Sequence, residues 1–348
     1  MIFGETPVAA AIGARAAHTV RAGTLVLKKG APIGKAEADA LAAAGIATLV
    51  AVRLEPGDIG EDEASARLAE AAAGANVRCE APFTGRTNLF ATAAGVLVVD
   101  RARVDAVNGI DEAITLATLA QHAPVVEGEM IGTVKIIPYA VGEGALAAAC
   151  AAAAPGLMRV APYARARIGV VSTLLPGLKP SIVDKTLRVL ERRLEPTGAA
   201  IVQERRVPHA AGPLADALRA IAPSCDLLVV FGASAIADRR DVIPAAIEAA
   251  DGRVAHFGMP VDPGNLLLVG DVGGVPAIGA PGCARSPKEN GFDWVLHRLL
   301  ADVPVTRADI TRMGVGGLLM EIVSRPQPRG GEASVPEGEG EGEREDDA

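Results

Sequence analysis

Residues 226–232 read DLLVVFG, and the loop that follows, 233–241, reads ASAIADRRD. Five apolar residues in a row, bounded by an acid and a glycine, make a strand buried on both faces. Similar runs lie on either side: IGVVS at 168–172, AAIVQERRV at 199–207, VAHFGM at 254–259, LLLVG at 266–270 and VPAIG at 275–279. Amphipathic stretches separate most of them, predicting helices from Ser181, near 212–222, from about 239 and from Pro287. Buried strands alternating with helices imply a three-layer α/β/α domain with a mostly parallel sheet over residues 165–302. Ser181 with Asp184, and Ser286 with Glu289, have the spacing of an N-cap and an acidic third position, so both are expected to open helices.

Outward from this unit the pattern is less regular. Residues 1–164 predict a smaller α+β region, with a helix at 35–45 closed by Gly45, a strand in IATLVAVRL, a helix at 61–73 and an Ala-rich helix at 145–154. TGRTNLF at 84–90 reads as a polar loop, and Lys135 falls within the apolar strand TVKII. Residues 303–330 form an extension and a proline-bearing linker. From 331 onward the chain is almost without apolar residues and is expected to be a disordered acidic tail.

That tail carries eight acids and one base, Arg344, and so accounts for most of the formal charge of −8 over 348 residues. The preceding 330 residues are nearly neutral, which argues against nucleic acid as a partner. Aromatic residues make up 3% of the chain, so ligands are expected to be held by backbone, small side chains and charge. The four cysteines lack C-x-x-C spacing, the five histidines lack metal-ligand spacing, and no G-x-S-x-G elbow is present. No apolar run reaches the length of a membrane span, and a cytoplasmic protein is expected.

In open α/β sheets ligands lie beyond the carboxyl ends of the strands, which singles out three loops. They are Thr173 with LLPGLKPS, Gly232 with ASAIADRRD, and APGCARSPKE at 280–289. Asp238 and Asp241 have two readings: magnesium ligands bridging a phosphate, or a helix cap and an ordinary acidic first turn. Arg285 is placed to fork onto a phosphate or carboxylate. Cys283 reads as a small half-buried residue, the other reading being a thiol activated by a helix terminus.

Taken together and in order, VVSTLLPG, Asp184, FGASAIADRRD, VDPGN and VPAIGAPGCARSP resemble the molybdopterin-binding domain of molybdopterin adenylyltransferases and molybdotransferases. The whole chain looks most like the molybdopterin-binding half of proteins that fuse it to a nucleotidyltransferase. The resemblance implies a transferase or carrier of molybdenum cofactor biosynthesis, with molybdopterin as ligand, magnesium and molybdate as companions and a separate nucleotidyltransferase as partner. A homo-oligomer stays open. It places Ser172, Thr173, Asp184, Gly232, Ser234, Pro281, Gly282, Arg285 and Ser286 on the ligand and gives Asp238 and Asp241 to catalysis and metal. The sequence departs from the family pattern at Ala233, Cys283, Ala284, Asp262 and Asn265, and the loss of cations at the last two implies binding over metal insertion. The alternatives are a metal-dependent nucleotide pyrophosphate hydrolase on the same domain type and a non-catalytic partner module.

Overall fold

The structure is a computed structural model and describes residues 1–319. Residues 320–348, including the expected acidic tail, lie outside the described part.

The six apolar runs form one sheet. Its strands are Arg167–Leu174, Ala200–Pro208, Leu227–Phe231, Arg253–Phe257, Leu268–Val272 and Val275–Ala280. The 167–174 strand lies between the 200–208 and 227–231 strands, parallel to both; beyond 227–231 come 275–280, 268–272 and 253–257. The 227–231 and 275–280 strands are parallel, whereas 268–272 is antiparallel to both of its neighbours. The sheet is therefore mixed, with five of its six strands running one way. The single reversal comes from GDVGG at 270–274, where Gly273 and Gly274 take positive φ and close a hairpin.

Side-chain alternation along the central strand builds two cores. Leu227, Val229 and Phe231 pack with Leu190, Leu194, Phe292 and Leu296 on one face. Leu228 and Val230 pack with Leu214, Leu218, Ile243 and Ile247 on the other. Helices Pro180–Leu194 and Gly291–Leu300 cover the first face, and Ala211–Ile221 and Val242–Ala249 cover the second, completing three layers. Each fully buried Leu, Val, Ile or Phe contributes about 1.5–3 kcal/mol relative to exposure, so these faces dominate the stability of the unit.

Two helix starts differ from the sequence reading. The 180–194 helix begins at Pro180, with Lys179 as cap residue and no side-chain cap; Ser181 lies inside the first turn. Proline at the first position supplies the required φ and lacks an N–H that would have been orphaned. The helix expected from Pro287 begins at Gly291, four residues later. Asn290 caps it by accepting from Phe292 N at 3.1 Å, while Asp293 returns to Asn290 N at 2.8 Å. Asn-x-x-Asp makes the same reciprocal box as the Ser-x-x-Glu pattern and satisfies the same amides.

In residues 1–162 the chain forms several small sheets. Helices Glu61–Ala72 and Glu143–Ala153 share a core with the four-stranded sheet that contains Arg86–Ala91 and Met130–Ile136. Most of the expected polar loop at 84–90 is thus a strand. Its alternate residues point inward, and buried Thr87 pairs with Ser65 Oγ at 2.9 Å. Val96 and Ala161 pack on Ala301 and Val303, joining the two halves. No helix among the described residues is long and apolar enough to cross a membrane.

Candidate functional site

Chain direction fixes where a cleft can open. From the 167–174 strand the chain passes to the sheet edge at 200–208, and from 227–231 it passes the other way. Loops leaving the carboxyl ends of the two central strands therefore diverge, and a crevice forms between them. A cavity of about 220 Å³ lies there, lined by Leu178 and Ile182, by Gly232–Ala235, and by Ala280, Gly282 and Arg285. Loops 175–179, 232–241 and 281–290 all contribute to this edge, so residues far apart in sequence meet at one opening.

The wall is mainly backbone because the sequence keeps it bare. A Cβ on Gly232 would lie 2.6 Å from Ser234 O and 2.9 Å from Ile243 Cδ1, so a side chain at 232 would displace the loop. At Gly282 a Cβ would meet nothing within 4 Å, leaving that side open.

Thr173 ties the first strand to the second loop. It is buried, and its Oγ1 accepts from Ala233 N at 2.8 Å. The same oxygen lies 2.8 Å from His209 Nδ1, at the end of the neighbouring strand. His209 does not line the cavity but supports Thr173 from behind it, a role the sequence reading missed; the signal was its position just past Val207 and Pro208, where a strand parallel to IGVVST ends. Beside Thr173, Ser172 Oγ is buried with no hydrogen-bond partner among the described residues.

Arg285 does two things at once. It lines the cavity, and it donates to Gly232 O at 2.7 Å and to Thr186 Oγ1 at 3.0 Å. Its guanidinium stacks 5.5 Å from the centre of the Phe231 ring, and burial holds its pKa below the ordinary arginine value. The expected phosphate fork is thus already engaged with the protein, joining the 281–290 loop to 232 and to the 180–194 helix. Arg193, which sequence reading also missed, secures the far end of that loop: NH1 donates to Ala284 O at 3.0 Å, NH2 to Ser286 O at 2.6 Å, and Nε pairs with Asp293. Pro281 is buried and precedes the short turn Gly282–Arg285. Ser286 follows that turn, and its Oγ accepts from Lys288 N at 3.3 Å, which corrects its reading as a helix cap.

The acids are placed elsewhere than the resemblance implied. Asp184 pairs with Arg206 at 2.7 Å. Asp238 accepts from Arg240 Nε at 2.6 Å and Arg240 N at 2.9 Å, and the arginine holds its pKa below the usual carboxylate range. Asp241 is the cap of the 242–249 helix: Oδ1 accepts from Val242 N at 2.7 Å and Oδ2 from Ala237 N at 3.0 Å. None of the three lines the cavity. Both oxygens of Asp241 and Oδ1 of Asp238 are thus taken by donors of this chain, and the pair does not fit a magnesium ion as it stands. Among the described residues no group of three or more His, Cys, Asp or Glu side chains is placed to hold a metal. Burial pushes the Cys283 thiol up, and its Sγ lies 3.5 Å from Asn290 Oδ1, consistent with a half-buried structural residue.

No family model and no curated protein matches the chain. Among solved structures it is similar to the molybdopterin biosynthesis MoeA protein from Pyrococcus horikoshii, at 14% identity and a TM-score of 0.31, over 87% of this chain and 75% of that one. It is also similar to the molybdopterin biosynthesis enzyme MoaB from Thermus thermophilus, at 19% identity and a TM-score of 0.32, over 40% of this chain and 98% of that one. The Mog protein of Mycobacterium ulcerans gives 17% and 0.28, over 40% and 100%.

Proposed function

We propose that this chain binds a phosphorylated pterin, molybdopterin or its metallated form, in the cavity at the carboxyl edge of the six-stranded sheet. Its role in this reading is that of a carrier in molybdenum cofactor biosynthesis, presenting the pterin to a separate nucleotidyltransferase. The observation that carries the reading is the convergence of the Gly232–Ala235 and Gly282–Arg285 segments on one opening, the two segments on which the sequence resemblance places the ligand. Bare backbone there lets a flat ring or a phosphate approach closely, and the half-buried Arg285 holds the Gly232 loop in that position.

Binding is favoured over metal insertion because Asp238 and Asp241 are satisfied by Arg240, Val242 and Ala237. Arg285 and Thr173 hold the loops in place before the ligand arrives, which lowers the ordering cost of binding.

Fluorescence titration with an oxidised, phosphorylated pterin tests this reading. Gly282 lines the cavity and a Cβ there meets nothing within 4 Å, so Gly282→Leu crowds the opening at little cost to the fold, and affinity should fall by about tenfold or more, or about 1.4 kcal/mol. The thermal midpoint should stay within a few degrees of the parent. Equal affinity in parent and variant refutes the assignment of the site.

A further inference from the structure

A second and larger cavity, of about 590 Å³, lies in the first half of the chain, within the size range of small-molecule sites. Three cations from separate elements line it: Arg15 from a short strand, Lys29 from the turn after the 25–27 strand, and Lys135 from the 130–136 strand. Across from them are Glu61 and Asp62, in the first turn of the 61–72 helix. Phe83 and Ile137 form an apolar rim, with Phe83 75% exposed in a chain that has six phenylalanines.

The bonding of these groups separates structural from unengaged ones. Asp62 Oδ1 accepts from Gly85 N at 2.6 Å and so closes the turn at 84–85. Lys135 donates to Thr84 O, and Arg15 donates to Gly30 O at 3.0 Å, each keeping further N–H groups. Lys29 makes no side-chain hydrogen bond or ion pair among the described residues; its ammonium lies 5.7 Å from the centre of the Tyr139 ring. Glu61 is half-buried, and the partner its carboxylate has is Lys135, 3.9 Å away. Partial burial, with Asp62 beside it, raises the Glu61 pKa against the pull of Lys135, Lys29 and Arg15.

Three cations against two carboxylates, with N–H groups not taken up within the protein, suit an anion, and a half-buried carboxylate whose ion-pair partner stands 3.9 Å away suits ligand hydroxyls. The exposed Phe83 offers a flat apolar face to carbon-bound hydrogens. We propose that this cavity is a binding site for a sugar phosphate, with the phosphate between Arg15, Lys29 and Lys135, the hydroxyls on Glu61 and the carbon skeleton against Phe83. The inference does not rest on the pterin reading, since the two cavities share no residue.

Calorimetric titration of the full chain with glucose 6-phosphate, glucose and inorganic phosphate tests it. Glucose 6-phosphate should bind with a Kd below about 1 mM, and each fragment at least about tenfold more weakly. Lys29→Ala, which breaks no hydrogen bond, should weaken both glucose 6-phosphate and phosphate by about tenfold. Phe83→Ala should weaken glucose 6-phosphate and leave phosphate unchanged, and Glu61→Gln should weaken glucose 6-phosphate while phosphate binds at least as well as to the parent. Gly282→Leu, at the other cavity, should leave all three unchanged. Phosphate binding as tightly as glucose 6-phosphate, or a glucose 6-phosphate affinity unaltered by Lys29→Ala, overturns the proposal; so does a loss caused by Gly282→Leu alone.

Discussion

Replacing Arg285 by Met decides whether its guanidinium organises the site or grips the ligand. Methionine keeps an apolar stem over Phe231 and removes the donors to Gly232 O and Thr186 Oγ1. Hydrogen bonds from a charged group are each worth about 1.5–3 kcal/mol, and the stacking adds about 0.5–1 kcal/mol. Removing a desolvated cation returns part of this sum, as the lowered Arg285 pKa indicates. The net loss should be about 2–4 kcal/mol. With an m-value of about 2–3 kcal/mol per molar urea, the midpoint falls by roughly 1 M. Pterin affinity should fall too, for the phosphorylated and dephosphorylated ligands alike, because the Gly232 loop loosens. A midpoint shift under about 0.3 M, with binding lost for the phosphorylated pterin alone, would refute this reasoning and return Arg285 to the role of a phosphate fork.

Three other substitutions test separate links. Thr173→Val leaves the half-buried Ala233 N–H without its acceptor, a cost of about 1 kcal/mol, and should weaken pterin binding; denaturant titration and fluorescence read the two effects. Asp241→Ala removes a helix cap and should cost about 0.5–2 kcal/mol in thermal unfolding with pterin affinity kept, whereas a magnesium ligand would show metal-dependent loss. Asp226 has its pKa held down to about 2, first by the Arg167 side chain and then by the 166 and 167 amides. Its stabilising contribution is therefore full above the unfolded carboxylate pKa of about 4 and is lost as pH falls toward 2. Urea midpoints at pH 6 and pH 3 should differ more in the parent than in Asp226→Asn.

The six-stranded sheet is legible in the sequence because burial on both faces removes every polar residue from strands such as 227–231, and such runs have few other interpretations. Helix starts are less legible, since Ser-x-x-Asp and Ser-x-x-Glu occur wherever a loop approaches a helix. At 286–289 that pattern stands one turn ahead of the box actually used, Asn290 with Asp293. The 86–91 strand is hidden for a related reason: its inward Thr87 is satisfied by Ser65, a partner 22 residues away that makes a polar residue acceptable in the core.

The same limit governs the site. Small residues at 232–235 and 282 are readable as cavity wall because close backbone approach is a local property of those residues. What an acid does depends instead on which donor reaches it in three dimensions. Asp184 meets Arg206 across two elements, Asp238 meets Arg240 within its own turn, and Asp241 turns back onto the amides of 237 and 242. Each carboxylate that looked free for a metal lies beside such a donor, and competition for its oxygens favours the partner already fixed in place. A cation from solution would have to break those hydrogen bonds and also shed water, which magnesium does reluctantly. Arg285 obeys the same rule with the opposite sign: its nearest acceptor is the Gly232 carbonyl, so the charge that looked free for a ligand holds the cavity in shape. What the cavity wall offers a ligand is then the backbone of 232–235 and 282 and the exposed Ser234 hydroxyl, while Ser172 and Thr173 lie buried behind it.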